Sequence, residues 1–223
     1  MEKNKVMRIV AAVLAVATVG LICWQMGVFN FSGKPKICLD AGHGGSDVGA
    51  EYNGRYEKDD NLKLTLAVGK ILEENGVKVI YTRTEDETVE LEKRAEFANR
   101  KNATYFVSIH RNSADVDVSG VEIWIENTAS LYEESLAKDI LDEINAVGFG
   151  KSRGVKRGYQ GDATANYLVN SATEMPSCLV EMGFITTPED NKLFENRLDE
   201  YALAIANGIM KNLEVEENST EEQ

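Results

Sequence analysis

Histidine, cysteine and proline are all scarce in this chain of 223 residues, which contains two, three and three of them. The three cysteines (Cys23, Cys38 and Cys178) are too few for a disulfide scaffold and lack the close pairs of a zinc finger. Basic residues are also in deficit, because 24 Lys and Arg stand against 37 Asp and Glu. The resulting net charge of −13 argues against a nucleic-acid partner, since a phosphate-binding surface needs a basic face.

No proline-rich linker and no internal repeat interrupts the sequence, so one folded domain accounts for most of it. Hydrophobic residues make up 43% of the chain and charged residues 27%, the composition of an ordinary globular protein. We divide the sequence into an N-terminal segment (residues 1–33), a main domain (34–213) and a tail (214–223). The tail is acidic and lacks aromatic residues, which favours a solvated, disordered end.

A run without charged residues extends from Ile9 to Phe31 and is long enough to cross about 30 Å of hydrocarbon as a helix. Basic residues precede it (Lys3, Lys5 and Arg8), which favours a single-pass anchor with the main domain on the far side. The alternative is a cleaved signal peptide and a secreted protein, but apolar residues continue past the weak cleavage site at Ala15 and Ala17. Both interpretations place the main domain outside the cytoplasm.

Apolar runs alternate with amphipathic stretches through the main domain. Strands are predicted at residues 36–40, 77–82, 105–110, 121–126 and 177–182. Helices are predicted at residues 59–75, 89–101, 130–145 and 198–213, with a further helix start at residues 187–190. This alternation predicts an α/β fold, a mostly parallel twisted sheet flanked by helices on both faces.

Both histidines fall where such a sheet forms its site. Ligands bind beyond the carboxyl ends of the strands in open α/β sheets. His43 follows the first predicted strand in a glycine-rich loop, and His110 closes the strand YFVSIH. Neutral imidazole suits zinc, and catalytic zinc usually has three protein ligands and a water. The pattern therefore indicates a zinc site, against the alternative of two unrelated structural histidines.

A third ligand is needed, and Glu57 is the best candidate. It ends the loop that carries His43 and lies just before the helix predicted near Asp59. Its proximity in sequence is shared by three rivals, Asp40, Asp47 and Glu51. The alternative for Glu57 is a first-turn acid that merely complements the helix dipole, and the residues alone leave this choice open.

Glu181 closes the predicted strand SCLVE and suits a separate task. A carboxylate at the end of a core strand is in a dry place, where ionisation is costly unless positive charge is near. Beside a metal, it can take a proton from water and pass it to a leaving group. The alternative is a structural carboxylate paired with Arg83 or Arg94.

Cys38 and Cys178 both lie in predicted core strands, which favours buried thiols. A disulfide between neighbouring strands is the alternative and would need suitable geometry.

Five strings resemble the type 3 family of zinc-dependent N-acetylmuramoyl-L-alanine amidases: LDAGHGGSDVGA, YEKDDNLKL, VIYTR, FVSIHRNSA and MPSCLVEMGFITTPEDNKL. They span residues 37–193 in the family's order and make 34–213 the catalytic domain. The resemblance implies zinc (Zn2+) held by His43, Glu57 and His110, with Glu181 as the catalytic acid and base. It also implies peptidoglycan as the substrate, cleaved at the amide between the lactyl group of N-acetylmuramic acid and L-alanine. The motifs identify no protein activator.

Two residues depart from the family's motifs. Asp60 stands where leucine is more usual, and Arg111 replaces a small residue after His110, which predicts a positive side chain beside the metal. Residues 127–176 contain one good helix and no obvious insertion, so we expect an open groove. The alternatives to the amidase are another zinc peptidase acting within the stem peptide and an inactive peptidoglycan-binding module on the same fold.

Overall fold

The structure, a computed structural model, describes residues 35–115 and 117–221, and of residues 214–221 it describes the backbone alone. The predicted membrane segment at 9–31 and Cys23 lie outside these residues. Within the described part of the chain, no helix combines the length and the apolar character that crossing a bilayer requires.

A six-stranded sheet forms the centre of the domain. Its strands are β1 (Lys36–Ala41), β4 (Lys78–Tyr81), β5 (Tyr105–Asn112), β6 (Val121–Ile125), β7 (Ser152–Arg157) and β8 (Ser177–Phe184). Across the sheet they lie in the order β4-β1-β5-β8-β6-β7. A separate antiparallel hairpin is made by β2 (Glu51–Tyr52) and β3 (Arg55–Tyr56). Every neighbouring pair in the large sheet is parallel except β6 with β8. The expectation of a mostly parallel α/β sheet is therefore confirmed.

Helices cover both faces of this sheet. They are α1 (Glu57–Glu74), α2 (Leu91–Arg100), α3 (Leu131–Val147), α4 (Leu168–Ser171), α5 (Pro188–Asn196) and α6 (Leu198–Glu221). The larger core cluster packs α1, α3 and α6 on alternate strand residues such as Val107 and Val180. The smaller cluster packs residues of α2 and α4 on the intervening ones, such as Phe106 and Leu179. Because successive strand side chains point to opposite faces, these two clusters define a first and a second face.

Local signals set the ends of the first helix. Helix α1 begins at Glu57, two residues before the predicted Asp59, and ends at Glu74 with Gly76 at a φ of 80°. The N–H of Gly76 donates to Glu73 O at 3.0 Å, and that of Val77 donates to Leu72 O at 3.0 Å. This is a Schellman ending, which the left-handed conformation of glycine permits.

The last helix is longer than the sequence predicts. Its predicted end is Leu213, but the backbone continues as helix to Glu221. Residues 214–221 contain neither glycine nor proline, and glutamate is a good helix former, so nothing local stops the helix at Leu213.

The pattern of apolar residues missed the strand β7. Strand β7 lies at the edge of the sheet, and both of its end residues are exposed. Its sequence SRGVKR therefore needs few apolar residues, and Val155 is the one large apolar side chain in it. The hairpin and the four-residue helix α4 were missed for a related reason, since elements this short show no measurable period.

Cys38 and Cys178 are buried free thiols, as predicted. They belong to different core clusters, and β5 separates their strands. Two strand spacings amount to about 10 Å, beyond the reach of a disulfide.

Candidate active site

His43, Glu57 and His110 come from three separate elements and meet at one edge of the sheet. One ligand atom from each lies within 4.8 Å of the others. His43 Nε2 is 3.3 Å from Glu57 Oε2, and His110 Nδ1 is 2.9 Å from Glu57 Oε1. The two imidazole rings are edge to face, with their centroids 5.0 Å apart. Glu57, the third ligand chosen from the sequence, thus has its carboxylate between the two histidines.

Two buried arginines hold the loop that carries His43. Arg94 donates to His43 O at 2.8 Å and to Ala41 O at 2.7 Å, and it pairs with Asp40 at 2.8 Å. Arg83 donates to Ala41 O at 2.9 Å and to Lys58 O at 2.8 Å. Backbone carbonyls buried here would otherwise lack donors, so the guanidinium groups stabilise a loop with no regular secondary structure.

Glycines are required where this loop passes the ligands. A Cβ atom at Gly42 would lie 2.1 Å from His110 Nε2, and one at Gly49 would lie 2.7 Å from Glu57 Oε2. Gly49 also has a φ of 66°, which other residues rarely adopt. The loop can therefore approach the ligands only without side chains at these positions.

Glu57 is a buried carboxylate with several donors. Its Oε2 accepts from Ala50 N–H at 2.9 Å, and its Oε1 accepts from Arg111 N–H at 3.1 Å. Burial raises its pKa, but hydrogen bonds and charge from His110 and His43 outweigh this and hold the pKa well below the ordinary value. Glu57 is therefore ionised at neutral pH, the state that a metal ligand needs.

Asp47 holds the His43 ring from behind. Asp47 Oδ2 lies 2.8 Å from His43 Nδ1, which leaves Nε2 facing Glu57. Burial lowers the pKa of His43, but its contacts with Glu57 and Asp47 outweigh burial and raise it. A carboxylate behind a ligating histidine commonly fixes its orientation. Of the three rivals to Glu57, Asp47 thus has a supporting place, Asp40 pairs with Arg94, and Glu51 is exposed in β2.

Glu181 lies beside His110, because the two are register partners on β8 and β5. It is buried, and its Oε2 has no hydrogen-bond partner among the described residues. Burial raises its pKa well above the ordinary value, and the negative charges of Glu57 and Glu122 raise it further. Pairing with Arg83 or Arg94 was the structural alternative, and it is wrong, since both arginines serve the His43 loop.

Glu122 is a buried carboxylate that the sequence analysis missed. It is the register partner of Glu181 on β6. Its oxygens accept from Asn112 Nδ2 at 2.8 Å, Trp124 Nε1 at 3.0 Å and Arg153 Nε at 2.7 Å. A charged residue within the apolar strand VEIWI was the available signal. Because both of its oxygens accept hydrogen bonds, Glu122 contributes negative charge to the site but is not available as a second acid or base.

The positive charge of Arg111 acts on the site, since it partly offsets the burial that raises the pKa of Glu181, but the Arg111 side chain is not directed at the proposed ligands. Arg111 follows His110 on β5, so strand alternation sends it to the opposite face. There its fully buried guanidinium pairs with Asp60 and lies 4.3 Å from the centroid of the Phe194 ring. It also donates to Asn191 Oδ1 at 2.7 Å. The two departures from the family's motifs, Asp60 and Arg111, therefore contact each other.

Comparisons with known proteins identify the family. The profile of the N-acetylmuramoyl-L-alanine amidase family matches residues 37–211. The chain is 34% identical over 188 residues to the N-acetylmuramoyl-L-alanine amidase CwlM of Bacillus licheniformis, covering 82% of this chain and 71% of CwlM. It is 37% identical over 179 residues to the uncharacterized protein YqiI of Bacillus subtilis, covering 78% of this chain and 82% of YqiI.

The fold matches as well. The solved structure of the N-acetylmuramoyl-L-alanine amidase AmiC2 of Nostoc punctiforme superimposes with a TM-score of 0.74 at 38% identity. The match covers 82% of this chain and 99% of AmiC2. Together with the profile match over the whole sheet, these likenesses show that the chain belongs to the type 3 N-acetylmuramoyl-L-alanine amidase family.

Proposed function

We propose that this amidase hydrolyses the amide between the lactyl group of N-acetylmuramic acid and L-alanine with one zinc ion, held by His43, Glu57 and His110. Glu181 serves as its general acid and base. The observation that carries the proposal is the convergence of these three ligand atoms within 4.8 Å, beside a buried carboxylate with one oxygen that no described residue contacts by a hydrogen bond.

The donor set fits zinc. Two imidazoles and one carboxylate with an open position form a known ligand set of catalytic zinc sites. The ionised state of Glu57 and the support of His43 by Asp47 are the features that such ligands need. A bound zinc ion would polarise the scissile carbonyl and lower the pKa of a water ligand.

Glu181 handles the protons. As base, its carboxylate accepts a proton from the water that attacks the carbonyl carbon. As acid, it returns that proton to the nitrogen of L-alanine while the C–N bond breaks, which yields a lactyl carboxylic acid and an amine. The acid then loses its proton to the amine or to solvent, which leaves a lactyl carboxylate. A pKa raised by burial brings a carboxyl group towards the operating pH, where both transfers are efficient. A bound cation would lower that pKa again, so the metal would set the working value.

Metal analysis and product analysis test the proposal together. We expect one zinc per domain, and digestion of peptidoglycan to release intact stem peptides and free lactyl groups, as identified by mass spectrometry. His43→Ala and His110→Ala should lose tight zinc and turnover together, while the exposed control Glu174→Gln should keep both.

Three results would contradict it. Stoichiometric zinc in either histidine variant would overturn the ligand assignment. Cuts within the stem peptide would indicate a zinc peptidase. Binding of peptidoglycan without turnover by the zinc-loaded protein would indicate an inactive binding module.

We further propose that residues 9–31 anchor the protein in the cell membrane with its catalytic domain outside the cytoplasm. The uncharged run and the basic residues before it support this. The intact protein should stay in the membrane fraction through high salt and high pH, with its domain accessible to added protease. A soluble mature protein that begins near Thr18 would show a cleaved signal and secretion instead.

A further inference from the structure

A row of residues continues from the proposed metal centre across the sheet. His110 on β5 is the register partner of Glu181 on β8, Glu181 of Glu122 on β6, and Glu122 of Gly154 on β7. Register partners share one face of a sheet, so this row runs along the second face from the metal ligands to the edge strand.

The far end of this row is open. A Cβ atom built on Gly154 would meet no heavy atom of the described part of the chain within 4 Å. Glu122 is the register partner of Gly154, and its carboxylate is fixed by three hydrogen-bond donors, so it does not turn into this space. The space above β7 at Gly154 is therefore free for the part of a substrate that reaches the end of the row, whereas Glu122 and Trp124 on β6 are buried.

Lys156 lies on β7, two residues from Gly154 and the open space above it. Its register partner is Trp124, whose ring belongs to the second-face cluster, whereas the preceding Val155 packs on the first-face cluster. Lys156 thus projects from the same face as Glu122 and Glu181. Within the described residues it has no ion-pair partner, while the neighbouring Arg153 and Arg157 pair with Glu122 and Glu134. In a chain of net charge −13, such a cation is available for an external anion.

Aromatic rings form one wall here. The Trp124 and Tyr167 ring centroids are 5.6 Å apart, and those of Tyr167 and Tyr159 are 4.6 Å apart. Burial raises the pKa of Tyr167, and the negative charge of Glu181 raises it further, which agrees with a ring facing the same row. Apolar surroundings strengthen an ion pair, because they lower the local dielectric constant.

We propose that Lys156 binds a free carboxylate of the stem peptide, which lies over β6 and β7 with its L-alanine at Glu181. This assignment rests on the amidase function proposed above. Lys156 is two strands and two residues from Glu181, so their Cα atoms are roughly 12 Å apart. An extended peptide of about three residues is roughly 10 Å long, and the length of the lysine side chain covers the remainder.

Charge explains why the peptide, rather than the sugar, takes this direction. Around the His43 loop, Lys58 is already paired with Asp86, and the exposed carboxylate of Asp47 would repel an anionic peptide. The uncharged sugar ring meets no such penalty on that side. The stem peptide, which carries the carboxylates, is therefore directed to Lys156.

The test compares two substrates that differ only in charge: an N-acetylmuramoyl-tripeptide with free carboxylates and the same compound with its carboxylates amidated. We expect the wild-type kcat/KM to favour the free carboxylates by about tenfold, mainly through KM. In Lys156→Met this preference should fall to nearly one, and in Lys156→Arg it should be retained. The control Lys70→Met removes an exposed lysine of α1 and should show the wild-type preference.

The results separate the two proposals. Equal use of both substrates by the wild type, or a preference that survives in Lys156→Met, would overturn the role of Lys156 while leaving the amidase function intact. A zinc-loaded wild type that cleaves neither substrate would overturn the amidase function and the subsite with it.

Discussion

The unpaired oxygen of Glu181 allows binding and chemistry to be separated at a single residue. Glu181→Gln keeps the size of the side chain but removes the proton acceptor. We expect zinc to remain near full occupancy while turnover falls by roughly 10²–10⁴-fold, the usual contribution of a positioned acid or base. Metal analysis and steady-state kinetics measure the two effects. Loss of zinc in the variant would make Glu181 a ligand, and near-normal turnover would make it structural.

The pH dependence of stability tests the environment of the same carboxyl group. Because the folded protein raises the pKa of Glu181, it binds more protons than the unfolded chain between about pH 4.3 and the raised value. The free energy of unfolding contributed by Glu181 is therefore complete below this window and is lost as pH rises through it.

Glu181→Gln should remove the pH-dependent loss of stability that Glu181 causes, because glutamine does not ionise. In the metal-free protein, kept so with a chelator, we expect the Tm of the variant relative to the wild type to increase between about pH 5 and about pH 8. Thermal denaturation at both pH values measures the difference. A Tm difference that does not change with pH would mean that Glu181 titrates as an ordinary exposed carboxyl group.

At the scale of elements, the pair of Asp60 and Arg111 joins the first turn of α1 to the end of β5. These elements carry Glu57 and His110, so the pair connects two of the proposed ligands from behind. Removing Asp60 leaves the buried Arg111 without its carboxylate, and such a loss destabilises by about 3–5 kcal/mol. Removing Arg111 costs less, because Asp60 keeps its ion pair with Arg55. Replacing both partners of a buried pair with apolar residues is often neutral.

A double-mutant cycle tests this connection. We expect Asp60→Leu and Arg111→Met each to lower the free energy of unfolding, and the double variant to lose clearly less than the sum of both. Denaturant unfolding measures all four proteins. The exposed pair Lys138 and Asp142 is the matched control, with an expected coupling of about 0.5 kcal/mol or less. Additive losses at Asp60 and Arg111 would show that the two side chains do not interact.

The elements differ in how far the sequence predicts them, and the reason is length and burial. The strands β1, β5 and β8 and the helices α1 and α3 are buried on enough positions to show an apolar period. Strand β7 lies at the edge, so its pattern carries little apolar signal, although it provides Lys156. The alternation of His110 and Arg111 was readable, but their opposite directions become informative only when β5 is known to be central.

At the scale of the whole molecule, the domain should gain stability when it binds zinc. A ligand at about 100 times its Kd adds about 2.7 kcal/mol to the folded state. For a domain of this size, 1 kcal/mol corresponds to about 2–4 °C, so we expect zinc to raise the Tm by about 5–10 °C. Differential scanning calorimetry with and without chelator measures the shift. His110→Ala is the control, and an equal shift in that variant would place the metal elsewhere.

The sequence alone predicts the buried strands and the longer helices in their order, an N-terminal run typical of export, and the motifs that contain His43, Glu57, His110 and Glu181. These are properties of neighbouring residues, so periodicity and motif spacing express them directly. Which side chains meet across strands becomes known only from the folded domain. Sheet order and register set three such contacts. They are the pairing of Asp60 with Arg111, the orientation of His43 by Asp47, and the position of Lys156 opposite Trp124. Sheet order arises from packing of the whole domain, and no local pattern encodes it.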